Sequence, residues 1–173
     1  MAFKKTSALL NIGGSVNLVD GSTVASKETL PLSTLDREIF VVTDYQIQMA
    51  PFGLDLAAGG TVTQSVAIMK TKSTLGNISD PNTIAIARER SDQGGAANLG
   101  AAIIQRMAEP TLNSVGSSTD YIAIVATPDF QVVGSLASTS GGLSGSAYVR
   151  ITGFRAVATA DLYAALVTEE LNQ

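Results

Sequence analysis

The chain has 173 residues, with 11 Lys and Arg against 15 Asp and Glu, giving a formal net charge of −4. It contains no Cys, His or Trp. These absences exclude disulfides and thiolate chemistry, and with them His-based triads, imidazole acid–base pairs and His-liganded metals. The length suits one domain able to bury a sizeable core without covalent staples.

Charged residues make up 15% of the chain, against about a quarter in an ordinary soluble domain. Ser and Thr number 34, and Ala and Gly 39. The surface is therefore expected to be neutral, built from hydroxyls, amides and small apolar groups. Such a surface tolerates burial against neighbours, whereas a net negative charge repels nucleic-acid phosphate.

Residues 1–30 read as an N-terminal arm and first hairpin. Met1 to Lys5 imitates the charged start of a signal peptide. The following Ala8 to Gly14 is too short and interrupted for the apolar core of one, so cleaved secretion is not expected. No run approaches the ~18 apolar residues of a membrane-spanning helix. Asn11-Ile12-Gly13-Gly14-Ser15 reads as a flexible loop, and Ser15 to Val19 as a strand closed by the hairpin-type turn Asp20-Gly21.

Residues 31–158 read as the β body. Its strongest segment is Arg37 to Met49, where Ile39, Val41, Thr43, Tyr45, Ile47 and Met49 alternate with Glu38, Phe40, Val42, Asp44, Gln46 and Gln48. Pro51 and Gly53 end it. Thr61 to Lys72 and Thr83 to Arg90 repeat the alternation, with Val62, Val66 and Ile68 on the apolar face of the first. Ala96 to Met107 fits a helix or a strand equally, since Leu99, Ile103 and Met107 are four apart but Gly94, Gly95 and Gly100 oppose a helix. Asp120 to Thr127 is apolar on both faces and predicts a central buried strand. Phe130 to Val133 and Ser146 to Val157 complete the series. Turn chemistry falls at Asp55 to Gly60, Leu75 to Asn82, Asn113 to Thr119 and Ser138 to Ser146. Residues 159–173 predict a helix: Thr159 can cap it, Asp161 suits its first turn, and Tyr163, Leu166, Val167 and Leu171 form a stripe. Seven to nine strands without strand–helix alternation imply an all-β fold. The natural closure is an antiparallel β-sandwich or single jelly roll with a short C-terminal helix.

Chemistry-bearing candidates reduce to structural roles. The glycines of residues 140–146 lack the Gly-Lys-Ser/Thr of a phosphate-binding loop. Glu38 and Asp44 share a strand face, but about 20 Å of strand separates them, too far for a paired-carboxylate hydrolase. Asp20, Asp80, Asp92, Asp120 and Asp129 are placed in turns, where Asp caps backbone amides; Ca²⁺ binding there lacks an EF-hand spacing. Arg88, Glu89 and Arg90 read as strand-edge ion pairs. No catalytic residue, cofactor or metal ligand is assigned.

In its small-residue N-terminal arm, its long strand Arg37–Met49 and its closing strand Ala147–Arg155, the chain resembles single jelly-roll capsid proteins of small icosahedral viruses and phages. The neutral Ser/Thr/Ala/Gly texture and the missing Cys, His and Trp are similar to those coats. The resemblance implies a structural virion protein that is not an enzyme and that self-assembles from many copies, with other virion proteins as further partners. The basic arm is shorter than in many genome-packing coats, so Lys4 and Lys5 would give weak nucleic-acid or membrane-surface contact. Assembly contacts are expected at Phe3, Lys4 and Lys5 on the arm, and at Tyr163, Leu166, Val167 and Leu171 on the helix. A phage tail-tube or head-decoration protein, or a secreted β-sandwich adhesion module, would share the same texture.

Overall fold

A computed structural model describes residues 3–50, 60–77, 79–93, 102–109, 121–139 and 141–171. The turn segments 55–59 and 113–119, the stop at Pro51 and Gly53, residues 96–101 and Asp120 lie outside these.

Ten strands and one helix follow in chain order: β1 (Phe3–Lys5), β2 (Leu10–Val19), β3 (Ser22–Thr29), β4 (Glu38–Met49), β5 (Thr61–Met69), β6 (Thr83–Gln93), β7 (Ala102–Glu109), β8 (Ala123–Val125), β9 (Asp129–Ser138), β10 (Ser144–Ala158) and α1 (Ala160–Leu171). The ambiguous apolar run is thus a strand over its described part, β7. One sheet runs β2-β10-β4-β8, with β1 continuing along β10 beyond the end of β2; the other runs β3-β9-β5-β6-β7. All these neighbours are antiparallel. The chain crosses between the sheets after β2, β3, β4, β7, β8 and β9, interleaving two Greek keys. That strand order is a jelly roll, as the sequence pattern predicts.

Two N-terminal expectations change. Asp20-Gly21 does not close a hairpin, because β2 pairs with β10 and β3 with β9. It is instead the corner where the chain leaves one sheet for the other. Asp20 fixes this corner against the β9–β10 turn by accepting the Ser138 N–H and hydroxyl, each at 2.8 Å. Gly13 and Gly14 lie inside β2, opposite Arg150 and Val149, rather than in a loop.

The core between the sheets is filled by Val16 and Leu18 of β2, Phe40 and Val42 of β4, Val66 and Ile68 of β5, Val132 and Leu136 of β9, and Val149 and Ile151 of β10. Burying each such side chain stabilises the fold by roughly 1.5–3 kcal/mol. Gly134 in β9 is required by this packing, since a Cβ there would meet the Leu18 side chain.

β4 does not keep one apolar face. Thr152 of β10 pairs with Asp44 and Gly153 with Val42, which leaves Thr43 as an extra residue, a β-bulge. One inserted residue reverses the facing of everything on one side of it. Phe40 and Val42 face the core on one side of the bulge, and Tyr45, Ile47 and Met49 on the other. Ile39 and Val41 are turned to the outer surface of the sheet, where they are fully buried in a second cluster with Ala126, Ala156 and Ala158.

Asp120–Thr127 yields a three-residue edge strand, β8, rather than a central one. Its apolar character on both faces has the same origin as that of β4: Val125 faces the core, while Tyr121, Ile124 and Ala126 join the outer cluster.

Gly153 is the tightest point of the bulge. A Cβ there would run into the Val41 carbonyl oxygen and the Phe40 ring. Gly153→Ala should therefore lower the unfolding free energy by about 2–3 kcal/mol, the cost of overpacking against backbone that cannot give way. Gly145→Ala, where the nearest atoms are 3.8 Å away, should change it by less than about 0.5 kcal/mol. Urea denaturation of the two variants checks both.

Candidate functional site

The outer face of the first sheet is divided. Along β10 it reads Tyr148, Arg150 and Thr152, then Phe154, Ala156 and Ala158. Its polar half, with Asn11, Asn17, Asp44, Gln46 and Gln48, faces solvent. Its apolar half is covered by α1, whose Leu162, Tyr163, Leu166 and Val167 pack on Ile39, Val41, Ala126, Ala156 and Ala158.

α1 starts at Thr159, whose hydroxyl accepts the Leu162 N–H at 3.4 Å and whose carbonyl accepts the Tyr163 N–H at 2.9 Å. It ends on a feature whose partners sequence reasoning could not name. Two consecutive acids near a helix C-terminus oppose the helix dipole, which suggests an exposed or docked end. Glu170 is docked, at 2% exposure. Its carboxylate accepts the Ala126 N–H at 3.0 and 3.2 Å and the Thr127 N–H at 3.0 Å, and its carbonyl accepts the Thr71 hydroxyl at 2.9 Å. Burial pushes the carboxyl above the usual glutamate range, opposed by the Ala126 and Thr127 hydrogen bonds and the nearby charge of Lys70. The signal in the sequence was the placement of Glu170 one turn beyond Leu166 and Val167, on the side of the helix that faces β8.

The expected assembly residues fall into two groups. Phe3, Tyr163, Leu166 and Val167 are half-buried in the chain's own outer cluster, and the Phe3 ring meets Tyr121 edge-on at 6.1 Å. Lys4 and Lys5 belong to β1, so in the described residues the arm is an edge strand of the sheet. They point to opposite faces, and Lys5 stands 4.6 Å over the Phe154 ring. Leu171 is 69% exposed at the end of α1. Lys4, Lys5 and Arg37 border an open groove of about 790 Å³ beside Thr159 and Ala160 at the start of the helix.

The acidic residues are engaged within the chain. Asp80 sits in a turn as expected, accepting from Lys72 and from the Asn82 N–H. Asp129 opens β9 and pairs with Lys27 at 2.7 Å. Asp92 is not in a turn but in β6, where the Thr61 hydroxyl and Arg90 hold its carboxyl below the usual range. The Ser138 hydroxyl does the same for Asp20. Glu38 accepts the Ser33 N–H and faces Arg155 at 3.5 Å, while Asp44 is exposed on the polar half of the sheet, so the two are not brought together. Glu89 is buried and accepts from Gln64 rather than standing at a strand edge. Among the described residues, no three acidic side chains gather as a metal site.

No protein-family model matches this chain, and no curated protein does either. Among solved structures, it is similar to the unassembled pentamer of Merkel cell polyomavirus VP1, with a TM-score of 0.42 and 9% identity over 90% of this chain and 98% of that one. The assignment to the jelly-roll class rests on the strand order and register.

Glu170 makes the helix contact pH-dependent. Its raised pKa means that the folded state favours the neutral form more than the unfolded state does. The resulting stability is complete below the ordinary glutamate value of 4.5 and is lost as pH rises through the raised value. The melting temperature of the native chain relative to Glu170→Gln, which does not titrate, should therefore rise as pH falls from 7 towards 4.5. Glu170→Ala should cost about 1–3 kcal/mol at any pH by leaving buried amides without acceptors.

Proposed function

We propose that this protein is a structural virion subunit that assembles in many copies into a closed shell, and that it is not an enzyme. The observation that carries this reading is a jelly roll whose solvent-facing half-sheet carries few charges, in a chain with only 15% charged residues. The polar half of the first sheet presents Asn, Gln, Thr and Tyr side chains with one Asp and one Arg. Four apolar side chains are exposed: Tyr148 (53%) within this half, Leu9 (59%) and Val19 (48%) at the two ends of β2, and Leu35 (94%) in the segment before β4. A neutral surface is cheap to desolvate, and weak contacts repeated around a closed assembly reinforce one another.

Residues 31–158 would serve as the shell-forming body in this reading, with the terminal segments as its links. Leu171 and Lys4 carry the links to neighbouring subunits, while Phe3, Tyr163, Leu166 and Val167 hold the helix and first strand in place to make them. Any contact with nucleic acid or a membrane surface through Lys4 and Lys5 would be weak per subunit, since two lysines neutralise about two phosphates.

Negative-stain imaging of purified protein tests this. Closed particles of uniform diameter are expected. Tubes would point to a tail protein, and a monomer with a Ca²⁺-dependent melting shift to an adhesion module. Leu171→Lys should reduce particle yield several-fold while leaving the melting temperature within about 2 °C, as for a surface substitution.

A further inference from the structure

Sheet edges offer unpaired backbone groups, and proteins guard them with charge, proline, bulges or short length. In this chain, β8 is three residues long, β1 carries Lys4 and Lys5, β3 carries Lys27 and Glu28, and β7 carries Arg106 and Glu109. β2 is different. It runs ten residues at the edge of the first sheet with no charge, proline or register shift, and the chain has no charged residue between Lys5 and Asp20. Asn11, Gly13, Ser15, Asn17 and Val19 are exposed. By the alternation of an antiparallel ladder, the N–H and C=O groups of Asn11, Gly13, Ser15 and Asn17 point away from β10. The Ser15 N–H accordingly reaches Glu28, by a long 3.3 Å bond that a better acceptor can replace.

We propose that this edge pairs antiparallel with β2 of a second copy of the chain, about a two-fold axis through Gly14. A two-fold contact requires a surface complementary to itself, and the segment from Leu9 to Val19 reads as one. About Gly14, Leu9 falls opposite the partner's Val19, Asn11 opposite the partner's Asn17, and Gly13 opposite the partner's Ser15. The exposed apolar residues at the two ends of the strand thereby cover each other, the amides face amides, and the smallest residues lie at the centre. No charge opposes a like charge within the paired strands themselves; the Glu28 carboxylate, which lies against Gly14 and the Ser15 N–H, swings aside in each copy as the partner strand takes its place. The ladder would contain about eight backbone hydrogen bonds and join two four-stranded faces into one continuous sheet. The pairing rests on the assembly reading above and names one of its contacts.

A single strand pair is a weak interface, so the test captures it covalently. The chain has no cysteine, which makes Asn11→Cys and Asn17→Cys proteins with one thiol each. Both side chains are exposed and make one hydrogen bond each, to Thr152 and Ser146. In an equal mixture of the two variants under mild oxidation, the mixed disulfide, which joins one variant to the other, should exceed either symmetric dimer at least tenfold. The reason is that the register sets like positions about six residues apart. Adding Ser15→Lys to both proteins should abolish the cross-link without changing their melting temperature. The statistical 1:2:1 ratio of the three disulfides, no covalent dimer, or a cross-link indifferent to Ser15→Lys would overturn the pairing. Closed particles without the mixed disulfide would remove the pairing and leave the shell reading standing. The mixed disulfide without particles would do the reverse.

Discussion

One extra residue in β4 sets the layout of the outer surface. Thr43 has no residue opposite it in the β10 register, and its insertion turns Ile39 and Val41 outward while Phe40 and Val42 fill the core. A sheet with two apolar faces at one end needs a second cover, and α1 provides it. The bulge in turn depends on Gly153, because any side chain there would strike the Val41 carbonyl. Glu170 completes the arrangement by linking the end of α1 to the backbone of Ala126 and Thr127, just beyond β8. Gly153, Thr43, Ile39, Val41 and Glu170 thus form one chain of dependence from a backbone irregularity to a docked helix.

The same dependence explains the contrast across the first sheet. Where α1 lies, the outer face is apolar and closed within the subunit. Beyond it the face is neutral, polar and open, bordered by the uncharged edge of β2. Hydrophobic burial is therefore concentrated inside the chain, and in the proposed assembly contact between copies would rest on backbone pairing, amides and scattered apolar side chains. Such contacts would be individually weak, favouring correction of misplaced copies and reliance on closure for overall stability.

The fold class was legible in the sequence because period-two alternation and turn residues are local signals. The C-terminal helix was legible for similar reasons, with Thr159 and the Leu166/Val167 stripe marking its start and buried side. The bulge was not legible. Ile39, Val41, Thr43, Tyr45, Ile47 and Met49 alternate without interruption, and nothing local says that pairing with β10 will skip Thr43. Asp20-Gly21 misled for the opposite reason: its turn chemistry is real, but the partners of β2 and β3 are 100 or more residues distant in the chain. Glu170 could be flagged as anomalous at a helix C-terminus, yet its acceptor role depends on the amides of Ala126 and Thr127, which only the tertiary fold supplies. The expected terminal contacts divided along the same line. The apolar residues of the stripe were readable as contact-forming, but whether they meet this chain or a neighbour depends on where the bulge places Ile39 and Val41.

The central claim is that a neutral jelly roll of this kind does not remain alone. Mass measurement by light scattering across a concentration series tests it most directly. The account predicts that the 17.8 kDa species gives way, with rising concentration, to a discrete high-mass particle with little in between. A single 17.8 kDa species at every concentration, with the protein folded throughout, would contradict it.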